Sequence, residues 1–304
     1  MKILITGANG FLGQHLTLFL AEKKYQVIAC SRGECRIPEN LSFEYFPIDL
    51  ADEKAVEALV AKVSPDIVVH TAANSKPDDC HVNREGCIQQ NVTATEYLLN
   101  ALATQSNNPR FIYLSTDFIF DGEDGPYREE DQPNPVSFYG ESKADAEKLV
   151  AASKCKWTII RTVLVYGITA NMSRSNIVLW VKSSLEKGTK INVVDDQWRT
   201  PTLAEDLAEG CLLVAEKEAE GIYHISGKDM LTVYDIAKQV AQFWNLDLSL
   251  ISPISSASLN QEAKRPVKTG FVLDKAIANL NYNPHSLQEG LALMDMQIKG
   301  VSEK

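Results

Sequence analysis

Tyr139 and Lys143 stand four residues apart in Tyr139-Gly140-Glu141-Ser142-Lys143, which reads as the first turns of a helix continuing through Ala144-Asp145-Ala146-Glu147-Lys148-Leu149-Val150. Side chains four apart on a helix lie one above the other, so the phenol and the ammonium point into the same space. A fixed cation favours the phenolate and brings proton exchange nearer to neutral pH than the ordinary phenol value of roughly 10. Such a group can give a proton to a ketone oxygen or take one from an alcohol. The spacing also arises on solvated helix faces, so the chemistry depends on what the rest of the chain places beside the pair.

The first such element is at the start. Ile3-Leu4-Ile5 is an apolar strand, followed by Thr6-Gly7-Ala8-Asn9-Gly10-Phe11-Leu12-Gly13 and then a helical pattern through Leu16, Leu18, Phe19 and Leu20. A strand, a glycine-rich turn and a helix N-terminus make an anion site: backbone N–H groups converge and the helix dipole favours a pyrophosphate. The spacing is G-x-x-G-x-x-G rather than the commoner G-x-G-x-x-G. The second strand, Gln26 to Cys30, ends in Ser31-Arg32, where an acidic residue would bind the ribose 2′-hydroxyl of NAD. With no acid there, Ser31 and Arg32 can hold a 2′-phosphate, which points to NADP; otherwise Arg32 is a solvent-facing charge.

Further strands are expected at Phe43 to Phe46, Ile67 to His70, Phe111 to Leu114 and Thr158 to Ile160, with helices at Glu53 to Val63 and about Asn83 to Ala103. Continuous apolar strands alternating with helices call for an α/β fold with a parallel sheet covered on both faces, whose ligands bind at the carboxyl ends of the strands. Asp49 suits an adenine amine or a helix cap, and Thr71-Ala72-Ala73 are small enough for a flat cofactor to lie against. His70, at a buried strand end, reads as a core histidine rather than a catalyst. From about Gly167 the pattern loosens, with helices at Ile177 to Lys187, Ala204 to Ala215, Val233 to Trp244 and Ser286 to Ile298, and strands at Lys190 to Val194 and Ile222 to Ser226. This half reads as a smaller lobe walling a cleft over the sheet.

Bulk properties narrow the function classes. A net charge of -10 with no basic stripe argues against nucleic acid. No apolar run reaches the roughly 18 residues of a membrane span, and Met1-Lys2 leads directly into a strand, so a cytoplasmic protein is expected. The six scattered cysteines lack a C-x-x-C pair and suit a reducing compartment. No metal site is expected, because Cys80-His81 with Cys87 reads as a polar loop lacking a fourth ligand.

Together these segments resemble the extended short-chain dehydrogenase/reductase family, and within it the dTDP-4-dehydrorhamnose reductases. The resemblance covers nearly the whole chain: Thr6-Gly7-x-x-Gly10-x-x-Gly13, Asp49-Leu50, His70 to Ala73, Ser115 to Phe120, Tyr139-Gly140-x-x-Lys143, the Arg161 strand end, Asp196-Gln197-x-x-x-Pro201-Thr202 and Arg265-Pro266. It implies a Rossmann doubly wound parallel sheet over residues 1–166, with return segments near 200–225, and a smaller substrate-binding lobe over 167–304. It also implies a triad, with Thr116 on the substrate oxygen, Tyr139 exchanging the proton, and Lys143 holding the nicotinamide ribose. Gly7, Asn9, Gly10, Phe11, Leu12, Gly13, Asp49 and Leu50 would contact the dinucleotide, and Arg161 to Val165, including Val163, would line the nicotinamide. Thr116, Asp117, Phe118, Val165, Gln197, Arg199 and Arg265 would meet the sugar or diphosphate, although Arg199 and Arg265 also read as surface charges.

The implied activity is NADP(H)-dependent reduction of a nucleotide-linked 4-keto-6-deoxy sugar, with NAD(H) the alternative cofactor. Related dehydratases carry an acid directly after Thr-Asp, where this chain has Phe118, which disfavours dehydration. Gln14-His15 stand where some relatives use a glutamate in a magnesium-linked dimer, so that metal and contact do not carry over, and monomer or homodimer stays open. A nucleotide-sugar epimerase and a non-catalytic NADP-binding regulatory protein are the alternatives.

Overall fold

The computed structural model describes residues 1–38, 41–169, 175–259 and 261–300. Seven strands form one sheet: β1 (Lys2–Thr6), β2 (Gln26–Ser31), β3 (Glu44–Pro47), β4 (Ile67–His70), β5 (Arg110–Thr116), β6 (Lys156–Thr162) and β7 (Gly221–His224). Their order is β7-β6-β5-β4-β1-β2-β3, and every neighbouring pair is parallel. This is the α/β doubly wound architecture that continuous apolar strands demand. With period two, Ile3 and Ile5 face one side and Leu4 the other. Ile3 and Ile5 pack with Leu16, Leu20, Leu207 and Leu212, while Leu4 packs with Ile28, Val56, Val68, Leu98 and Phe111. Covering both faces removes these strands from water, at about 1.5–3 kcal/mol per large apolar side chain.

The helices that cover the sheet are α1 (Phe11–Glu22), α2 (Glu53–Val63), α3 (Pro77–Val82), α4 (Arg84–Ile88), α5 (Ala94–Ala103) and α6 (Phe138–Ala152). Asp52, not Asp49, caps α2, its carboxylate accepting from the Ala55 N–H at 3.2 Å. Two segments differ from the sequence reading. The run expected as one helix from Asn83 to Ala103 is α4 and α5 joined by a wider π turn over Gln89–Thr93, and the presumed loop at Cys80-His81 is α3. A π turn inserts a residue that no apolar periodicity reveals.

The smaller C-terminal region has α7 (Ile177–Glu186), α8 (Ala204–Glu216), α9 (Val233–Phe243), α10 (Asp274–Leu280) and α11 (Leu287–Ile298). Of these α8 packs against the sheet, whereas Val178, Val181, Ile236, Val240 and Leu291 build a separate core. β7 comes from this half of the chain yet pairs with β6, so the sheet edge and the smaller core are laced together.

Candidate active site

β1 lies between β2 and β4, so chain connections leave it in opposite directions and a crevice opens beyond its carboxyl end. A cleft of about 590 Å³ occupies that crevice, within the roughly 300–1,000 Å³ common for small-molecule sites. Its floor is the glycine turn. Gly7 has φ +71°, and a Cβ there would lie 2.6 Å from the Ala72 nitrogen, while a Cβ at Gly13 would overlap the Gly7 carbonyl. Glycine therefore lets β1, α1 and the loop after β4 close up beneath a ligand. Gly10, the N-cap of α1, provides no side-chain cap, and the first turn carries no acid, so this helix end suits a phosphate.

Gly7, Asn9, Gly10 and Phe11 line the cleft on one side, and Thr71, Ala72 and Ala73 on the other. At the far end are Ser31, Arg32, Asp49 and Leu50, joined by Arg36, which the sequence reading missed. No sequence signal marks Arg36; Asn9 holds its loop at the cleft. Its amide donates to the carbonyls of Arg32 at 3.1 Å and Glu34 at 2.8 Å, and its Oδ1 accepts from the Arg36 N–H at 2.9 Å. Asn9 thus ties the loop bearing both arginines to the glycine turn.

Thr116 closes β5, and its Oγ accepts from the Phe118 N–H at 3.2 Å while donating to Asp117 Oδ1 at 3.1 Å. Tyr139 lies in the first turn of α6, which Ser137 caps by accepting from the Gly140 N–H at 3.3 Å. The rings of Phe118 and Tyr139 meet edge to face with centroids 5.6 Å apart. A Cβ at Gly140 would overlap the Phe118 carbonyl, so glycine between Tyr139 and its neighbours lets α6 approach the segment after Thr116. Lys143 is buried; its Nζ donates to the Leu114 carbonyl at 2.7 Å and sits 4.1 Å from the Tyr113 ring centroid. Burial lowers its pKa to about 7, partly opposed by Glu147 and the thiols of Cys87 and Cys80.

Thr116, Tyr139 and Lys143 thus gather where β5 meets α6, next to the cleft rather than among its lining residues. The link between the two is Asn91, on the π turn. It accepts from the Asn74 N–H at 2.7 Å and donates to the Asn74 carbonyl at 3.1 Å and to Ser142 Oγ at 2.9 Å. The π turn therefore aims one amide at both the cleft wall and the Tyr139 helix.

The profile of the RmlD substrate binding domain family matches residues 1–299. The chain belongs to that family. A dTDP-4-dehydrorhamnose reductase of Bacillus anthracis, solved in complex with NADP, superposes with a TM-score of 0.83 at 26% identity, covering 98% of this chain and 100% of the other. The methionine adenosyltransferase 2 subunit beta of Xenopus laevis is 33% identical over 259 residues, 84% of this chain and 75% of that protein. A probable low-salt glycan biosynthesis reductase, Agl14, of Haloferax volcanii is 29% identical over 99% of this chain and its own full length.

In this RmlD-family chain several residues assigned to ligands are placed elsewhere. Arg161 is 2% exposed and forks onto Glu147, with Nη2 to Oε2 at 2.8 Å and Nε to Oε1 at 3.1 Å, so it anchors α6 to β6 instead of lining the nicotinamide. Val163 is fully buried in the core, and the Leu12 side chain packs against that same core. Arg199 is not a surface charge, and its guanidinium is consumed. It donates to the carbonyls of Trp198 at 2.7 Å, Val267 at 3.1 Å and Pro266 at 2.8 Å, and Nε lies 3.7 Å from Asp117 Oδ2. Asp117 in turn is buried, which raises its carboxyl pKa against the pull of Arg199, and it hydrogen-bonds Thr269.

Arg265 pairs with Asp78 of α3, Nη2 to Oδ2 at 2.6 Å, tying the C-terminal region to the cleft side. Gln197 is buried, and Val165 packs partly on the core, pairing with Thr202. His70 is the core histidine expected from its strand-end position: it bonds Thr6 Oγ at 2.6 Å and Thr95 Oγ at 3.0 Å, and burial holds its pKa down to about 3.

Proposed function

We propose that this chain is an NADP(H)-dependent reductase of a nucleotide-linked 4-keto-6-deoxy sugar, akin to dTDP-4-dehydrorhamnose reductase. The observation that carries the reading is the junction of β5 and α6, where Thr116, Tyr139 and Lys143 come together beside a glycine-floored cleft. The residues present fit a dinucleotide. The Gly7–Gly13 cradle admits backbone contact, the α1 N-terminus suits a pyrophosphate, and Arg32 and Arg36 offer two cations at the ribose end, which favours the 2′-phosphorylated form. When bound, the nicotinamide cofactor supplies the hydride.

The chain's own residues do the rest. Tyr139 delivers the proton to the ketone oxygen, the Thr116 hydroxyl turns from Asp117 to donate a hydrogen bond to it, and protonated Lys143 stabilises the negative charge left on the phenol. Phe118 stands where an acid would be needed to drive an elimination, and the Asp117 carboxylate beside Thr116 is committed to Arg199 and Thr269. NADPH oxidation with a 4-keto-6-deoxy sugar nucleotide should be measurable and should vanish in Tyr139→Phe. No turnover with a panel of such sugars would sink the reading. The RmlD-family subunits named for methionine adenosyltransferase 2 support a second reading, a binding subunit. That reading expects co-elution with a methionine adenosyltransferase catalytic chain, unchanged in Tyr139→Phe.

A further inference from the structure

Helices α3 and α4 meet at Asn83, and each turns one cysteine inward. Cys80 and Cys87 are both fully buried and pack in one cluster with Tyr139, against the rings of Phe118 and Phe138. Cys87 Sγ lies 3.3 Å from Ser142 Oγ and 3.5 Å from Asn91 Nδ2, and Cys80 Sγ donates to the Asn74 carbonyl at 3.5 Å. Both thiols therefore hang on the polar network that joins the cleft wall to α6. Among the described residues, no group of three His, Cys, Asp or Glu side chains is placed to hold a metal.

The two sulfurs are not equivalent. The neighbouring Cys80 side chain is the largest influence holding Cys87 down to about 7, helped by Ser142, Lys143 and Asn91 against the cost of burial. The same contact pushes Cys80 up. Cys30 and Cys211 differ, since burial alone raises each thiol to about 12. A thiolate is the nucleophilic form, so the pair is arranged as an attacking sulfur with a resolving neighbour.

We propose that Cys80 and Cys87 form an oxidisable dithiol that closes to a disulfide beneath Tyr139 when it meets a hydroperoxide. The Cys87 thiolate attacks the peroxide, the O–O bond breaks, and a sulfenic acid and hydroxide result. The Cys80 sulfur then attacks the sulfenic sulfur; the S–S bond forms, the S–O bond breaks, and the Cys80 proton leaves with the departing hydroxide as water. In total two thiols lose two electrons and two protons, and one hydrogen peroxide becomes two waters. Entry is from the cleft, whose wall includes Asn74, Lys76 and Asp79 at the start of α3, a helix of 6 residues that can open locally. The product removes the thiolate facing Lys143 and draws α3 onto α4 under the phenol.

Trypsin cuts after Arg84, between the two cysteines, so the disulfide is read as two joined peptides. Intact protein treated with hydrogen peroxide, alkylated and mapped without reduction should show Cys80 joined to Cys87, with dithiothreitol restoring both thiols. Cys80→Ser, which keeps a hydroxyl donor beside Cys87 but no resolving sulfur, should instead accumulate a sulfenic acid at Cys87 that a dione probe captures. Recovery of both residues as free thiols at a peroxide dose that oxidises the more exposed Cys35 would overturn the proposal, as would a cross-link to any other cysteine. This readout is independent of turnover, so it stands or falls apart from the reductase reading. Where sugar reduction is measurable, it should fall severalfold on oxidation and return on reduction; unchanged turnover of cross-linked protein would break the connection to Tyr139.

Discussion

Lys143 Nζ donates to the carbonyl of Leu114, two residues before Thr116, at 2.7 Å. The helix that carries Tyr139 is thereby bolted to the strand that carries Thr116 by the Lys143 ammonium. Its pKa of about 7, against 10.5 unperturbed, means the unfolded chain binds more protons between those values. Stability of the ligand-free protein should therefore rise with pH across that window, by up to about 1.4 kcal/mol per pH unit, and the gain should be absent below it. Urea unfolding of Lys143→Met should show a flatter dependence; parallel curves for both proteins would refute the assignment.

Arg161 is expected to behave as an anchor. Arg161→Met leaves Glu147 buried without its partner and should cost about 3–5 kcal/mol. NADPH affinity of the folded protein should stay within about twofold of wild type, a change of less than about 0.5 kcal/mol. A large loss of affinity without loss of stability would return Arg161 to the cofactor wall. The double variant Arg161→Met, Glu147→Leu should recover much of the stability, because a buried apolar pair replaces a buried charge.

At the ribose end, Arg32→Ala and Arg36→Ala should each weaken NADPH binding and leave NADH nearly unaffected. One charge-assisted hydrogen bond is worth about 1.5–3 kcal/mol, so the preference should fall by about 10-fold or more. Asn9→Ala should reduce the preference as well, since it frees the loop that presents both arginines. Equal losses for NADPH and NADH in the arginine variants would show that neither cation reads the 2′-phosphate.

Gly140→Ala tests how α6 is seated. The added methyl overlaps the Phe118 carbonyl and lies 2.9 Å from Pro135 Cβ, so α6 must shift. Overpacking of this kind costs about 1–3 kcal/mol. Thermal unfolding should register that cost, and sugar reduction should fall further than NADPH binding, because Tyr139 moves while the glycine floor does not. Unchanged stability would show that the junction is looser than these contacts imply.

The alternation of apolar strands and helices was enough to identify the doubly wound sheet, because period and run length are local and a parallel sheet buries both faces. The glycine turn, Ser31-Arg32, Asp49-Leu50 and Thr71 to Ala73 were legible for the same reason: each follows a strand and so falls at its carboxyl end. What sequence could not supply was the destination of long side chains. Arg161 found Glu147, Arg199 found three carbonyls and Asp117, and Arg265 found Asp78. Nothing in their spacing distinguishes a guanidinium that meets a ligand from one that holds two elements together. Arg36 entered the cleft through Asn9, and Cys80 reached Cys87 because a short helix stands where a loop was expected. Local chemistry along the chain determined the sheet, its order of elements and the kinds of group at the strand ends. Only tertiary packing decided which charges are neutralised inside the protein and which still face the cleft, because that depends on partners far away in sequence and on the cost of burying a charge without one.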